Sequence, residues 1–244
     1  MSSSPLHHKP RALPFAPPSW LPSAYRRAAV GAGATASATD VARAGKELLD
    51  LWMQPSRRYH NALHLVELLQ HVDELQQETH NPHTIRLAAW YHGAIFDAEA
   101  PAAYAGRGGE DEAASAEFAR THLPAIGVPE PAIAEVSEMV EGLARHSADG
   151  RRSDCAVLCD ADLAILAAEP QRYRAYTDDI RAEYAHIPDR DYLESRQAIL
   201  GKLLARKRLY VSALAGPWEL RARQNIAAEL QRISSELGRL DAVV

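Results

Sequence analysis

The chain is poor in sulfur and in phenylalanine, with two cysteines, three methionines and three phenylalanines among 244 residues. Two cysteines cannot build a disulfide framework, so a reducing compartment, the cytoplasm, is the expected location. Cys155 and Cys159 lie four apart on an expected helix, a placement that suits two small buried thiols better than a bridge. Long apolar runs are also missing, and none approaches the ~18 residues of a membrane span. Positive charge is not in excess. With 27 Lys and Arg against 32 Asp and Glu, the net charge is −5. That balance argues against nucleic acid or an anionic membrane as the main partner. A secretory signal is not expected, because Pro5, Pro10, Pro14, Pro17 and Pro18 break up the start of the chain. Alternating strand patterns with hairpin punctuation are absent, as are internal repeats, which excludes a sheet-based or solenoid design.

What remains is ordinary for a globular protein: 47% hydrophobic and 24% charged residues. Residues 1–18 are small, polar and Pro-rich, and read as a disordered leader before a single helical domain over 19–244. Helical apolar spacing runs from Val41 to Met53, where Pro55 ends it, and again from about Tyr59 to Gln76. After Asn81-Pro82, Thr84 can cap a nearly all-apolar helix reaching about Phe96, which should lie inside the domain. Ala98 to Gly109 reads as a loop. Further helices are expected over Glu110–His122, Glu130–Arg145, Ser153–Ala168, Gln171–His186 and Arg190–Ala205, with a last one after Gly216-Pro217. The fold class is therefore all-α, a bundle of about eight or nine helices, well above the helix content of an average domain.

Three places could carry chemistry. His60 and His64 are four residues apart, and on a helix such side chains share a face with Cβ atoms roughly 5–6 Å apart. They could share a metal centre, or one could bind metal while the other moves a proton; as a bland alternative, they are simply a surface or core pair. His92 lies in the most apolar helix, where an isolated histidine is more often a hydrogen-bonded core residue. Asp160 and Asp162 fall in an apolar helical stretch, where a carboxylate needs a partner or a metal. Together these residues offer nitrogen and oxygen donors to a divalent ion, all from helices.

Tyr59-His60-Asn61-Ala62-Leu63-His64, then Trp90-Tyr91-His92, then Asp160-Ala161-Asp162-Leu163 resemble the HD-domain superfamily of metal-dependent phosphohydrolases. The nearest likeness is to a little-characterised bacterial group of predicted HD phosphohydrolases, from about Trp20 onward. Further matches are Glu112, Ser115-Ala116, Tyr173, Tyr176, Arg181, Glu183, Tyr184, Arg196, Leu200, Glu219, Arg223 and Asn225. The first and third motifs are also similar to those of cyclic-nucleotide phosphodiesterases. The resemblance implies an all-helical fold and a divalent metal such as Mn, Mg, Zn or Fe. It makes His64, His92 and Asp162 the metal ligands and His60 the proton donor to the leaving oxygen. A small phosphorylated or nucleotide-like molecule is the implied substrate. Asp160 would then orient a ligating imidazole, and Arg58 is the best candidate to help with phosphate. The long C-terminal helices offer a face on which a second copy could pack.

One position departs from the pattern. Gly93 stands where the family has the aspartate of its His-Asp doublet, a metal ligand that bridges both ions in two-metal members. Asp97 could substitute from one turn further along. His146 is an extra ligand or substrate contact, or else an exposed histidine near a helix end. Glu112 faces the pocket or belongs to an acidic helix start with Glu110 and Asp111. Gly93 thus sets the alternative: a degenerate HD fold that binds a ligand or partner without turnover. Oxidative di-iron chemistry, found in a minority of the superfamily, ranks last because it needs more ligands than these motifs place.

Overall fold

In a computed structural model, residues 16–99, 109–144 and 153–242 are described. Most of the expected leader, most of the 98–109 loop and His146 lie outside them. The described residues contain ten α-helices: α1 Leu21–Gly31, α2 Ala38–Trp52, α3 Ala62–Glu74, α4 Pro82–Tyr91, α5 Glu112–His122, α6 Glu130–Leu143, α7 Ser153–Asp162, α8 Pro170–Glu183, α9 Asp189–Leu204 and α10 Trp218–Asp241. The fold is all-α, as the apolar spacing implies. Among the described residues there is no strand, only an isolated bridge between Phe96 and Glu110. No helix there is long and apolar enough to cross a membrane.

Helix α4 is the axis of the domain. Every residue from Thr84 to Tyr91 except Arg86 is buried, and the helix is flanked by α1, α3, α5, α6 and α7. Its sequence explains this: with apolar side chains on all sides it can be satisfied only by neighbours all round. Ile85 and Leu87 are fully buried, so truncating either to alanine should cost about 2–5 kcal/mol. Asn81, not Thr84, caps this helix, its side chain accepting from the Thr84 N–H. The helix stops at Tyr91, five residues before the expected end, and His92 is its C-cap.

The later chain closes over the far end of α7. After Asp162 the helix tightens into a 3-10 segment, Leu163–Ala167, against which α10 packs. Asn225 of α10 donates to the carbonyls of Leu166 and Ala168, tying the two elements together. Beneath α8 and α9 a buried polar cluster joins Glu229 to Arg196 and to the Tyr173 hydroxyl. Each of these charged groups has a hydrogen-bonded partner, as burial requires.

Candidate metal centre

His64 lies in the first turn of α3, His92 caps the end of α4, and Asp162 ends α7. Three helix ends therefore deliver the three residues to one place. His64 Nε2 is 3.2 Å from His92 Nε2 and 3.3 Å from Asp162 Oδ1, and the last two atoms are 3.8 Å apart. Two donors each about 2.1 Å from an ion lie about 3.0 Å apart at a right angle and about 3.4 Å apart at a tetrahedral one. The two shorter separations fall in that window, and the third needs only a small swing of the carboxylate. His92 Nδ1 lies 2.7 Å from the Ala89 carbonyl, so the proton sits on Nδ1 and the Nε2 lone pair points into the centre. Such an outward hydrogen bond is what fixes the tautomer of a ligating histidine. Burial, set against the opposing pull of Asp162, lowers the His92 pKa and keeps the ring neutral. The set could hold a divalent ion. Two imidazoles and one carboxylate suit Zn²⁺, Fe²⁺ or Mn²⁺ better than Mg²⁺, and they leave coordination positions open.

His60 is not on the helix with His64. Helix α3 begins only at Ala62, with Asn61 as its extended N-cap, so the expected one-turn stacking does not explain the approach of the two rings, whose centroids are 5.7 Å apart. The cause is Glu183, the last residue of α8. Its Oε1 accepts from the backbone N–H groups of Arg58, Tyr59 and His60, and its Oε2 lies 2.6 Å from His60 Nδ1. A buried carboxylate thus folds three successive residues around itself and aims the imidazole. The other ring nitrogen, Nε2, lies 3.6 Å from Glu110 Oε2. Burial would depress the His60 pKa, but the carboxylates of Glu110 and Glu183 outweigh it and raise it to about 9. Burial would likewise raise Glu183, yet His60 and the N–H donors hold it below the ordinary carboxylate value. The pair is an imidazolium and a carboxylate at neutral pH.

The remaining candidates are spread around this centre. Asp160 is buried, but its oxygens accept from the Val211 and Ser212 N–H groups, so it anchors the 211–212 segment and orients no ligating imidazole. Burial, opposed by those N–H groups, pushes its pKa to about 6. Asp97 is exposed, lies beyond the end of α4, accepts from the Glu99 N–H, and is not part of the His64–His92–Asp162 cluster. Glu112 is half-buried in the first turn of α5, and it is Glu110 that approaches His60, placed there by the Phe96 bridge. Arg58 is exposed.

The buried arginine is its neighbour. Arg57 donates to the carbonyls of His60, Gly93 and Ala94 and to the Gln54 side chain. Its guanidinium lies over the rings of Trp52 and Phe96, at 5.4 and 5.1 Å. With four of its five N–H groups committed, it ties the two histidine-bearing segments together rather than offering a fork to phosphate. Arg181, Arg196 and Arg223 are engaged with Asp189, Glu229 and Glu219. Sequence reasoning missed Trp52, Arg57, Glu110 and the task of Glu183. Only Gly93 hinted at the first, since a bare backbone signals something packed against it.

Compared with known proteins, the chain matches no family model and no curated protein.

Proposed function

We propose that this protein is a metal-dependent phosphohydrolase of the HD type, acting on a small phosphate ester or nucleotide-like substrate in the cytoplasm. The observation that carries the reading is the convergence of His64, His92 and Asp162 at metal-ligand spacing, with His60 poised beside them. An ion held by His64, His92 and Asp162 would supply Lewis acidity at the phosphate. His60 does the proton work. Its Nδ1 is tied to Glu183, which leaves the Nε2 proton as the one to deliver to a departing alkoxide. Glu183 sets the ring's angle, and the two carboxylates keep it charged for that task. Phe96, packed on the His60 ring at 4.9 Å, shields one side from water.

The second reading, a ligand-binding HD fold without turnover, is favoured by Gly93, which contributes no carboxylate. Metal analysis of protein purified without chelator, followed by phosphatase assays with Mn²⁺, Zn²⁺, Fe²⁺ and Mg²⁺, separates the two. The hydrolase reading expects stoichiometric metal and turnover, with His60→Gln keeping the metal and losing about 10²–10⁴ in kcat. Metal without turnover on any phosphate ester favours the second reading, and absence of both sinks the first.

A further inference from the structure

Gly93 is more than a missing ligand. A Cβ built on it would stand 2.4 Å from Cη2 of Trp52, and two further indole carbons would be at 3.0 Å. Trp52 cannot step aside cheaply. It is fully buried, its Nε1 donates to the Trp90 carbonyl at 3.0 Å, and its ring packs on His92 and His64 at 5.1 and 6.1 Å. The space of a doublet carboxylate is filled by indole.

Resting on the reading of His64, His92 and Asp162 as ligands, we infer that the centre takes one divalent ion, and that Trp52 is the wall that closes the place of a second. The nearby carboxylates are committed elsewhere: Glu183 holds the 58–60 backbone and His60, and Glu110 faces His60. Among the described residues only His64, His92 and Asp162 converge as a ligand group. The Arg57 guanidinium, fixed over the same indole, adds positive charge behind the wall and opposes another dication there.

Two measurements test this. Gly93→Ala, which adds only the Cβ, should lower Tm by roughly 5 °C through overpacking. In a double-mutant cycle with Trp52→Ala, the pair should lose little more than Trp52→Ala alone. Additive losses would overturn the shared-space argument. The deciding measurement is metal content and Mn²⁺ EPR of the chelator-stripped full chain after re-equilibration with Mn²⁺ and desalting. One ion per chain with the signal of an isolated Mn²⁺ is expected. Two ions, a spin-coupled signal, or none would overturn the inference. One ion without phosphatase turnover upholds it while ending the hydrolase reading, and two ions with turnover do the reverse.

Discussion

Asp160 and Asp162 sit two residues apart at the end of one helix, and their surroundings could hardly differ more. At about 100° per residue, a helix places such a pair about 200° apart around its axis. Asp160 therefore meets backbone N–H groups of the 211–212 segment, while Asp162 meets two imidazoles. The first carboxylate is satisfied by the fold and serves it. The second faces two ring nitrogens in a cluster that could hold a cation. Arg57 and Arg58 repeat the lesson. One is locked under the histidine segments by carbonyls and rings, and the other reaches solvent.

The sharpest way to break the comparison is to neutralise each aspartate in turn. Asp162→Asn should weaken Mn²⁺ or Zn²⁺ binding by at least about 100-fold, because it removes a direct ligand, while leaving the urea midpoint nearly unchanged. Asp160→Asn should do the opposite. It turns a carboxylate that accepts from two residues into an amide, at a cost of about 2–4 kcal/mol, with metal affinity retained by the folded fraction. Equal effects of the two substitutions on metal binding would erase the distinction. The arginines give a comparable contrast: Arg57→Ala should destabilise by about 2–4 kcal/mol and Arg58→Ala by no more than about 0.5. A smaller effect belongs to pH. In metal-free protein the His60–Glu183 pair has a histidine raised to about 9 and a carboxylate held low. Its contribution is whole at mildly acidic pH, fades as pH rises through about 9, and fades again as pH falls through the carboxylate range. The stability gap between wild type and His60→Gln, measured by urea unfolding, should therefore narrow from about pH 6.5 to about pH 9 and change little above that. A gap constant from pH 7 to 10 would contradict the ion pair.

How much of this was legible beforehand follows from the same contrast. Helices α2, α3, α6, α8, α9 and α10 were readable because apolar residues recur at helical spacing and caps or prolines punctuate them. The end of α4 was not, since an all-apolar stretch carries no period to show where the backbone turns away. The late start of α3 was hidden for another reason. Its N-terminal residues are captured by Glu183, 123 residues further on, and no local pattern reports so distant a partner. The three residues that cluster so as to be able to hold an ion, His64, His92 and Asp162, could be named from the sequence. Which of two adjacent arginines goes inside, and that Glu110 rather than Glu112 reaches His60, depended on a bend and a bridge formed only in three dimensions. Gly93 was visible as a gap, and the indole that fills it was not.

If three helix ends form a metal centre, an ion should be visible between them. An anomalous difference map from a crystal of the full chain grown with Mn²⁺ tests it most directly. One strong peak is expected within about 2.2 Å of His64 Nε2, His92 Nε2 and Asp162 Oδ1. No peak between those atoms at saturating Mn²⁺, or an ion bound elsewhere while the three side chains bond only to one another, would contradict it.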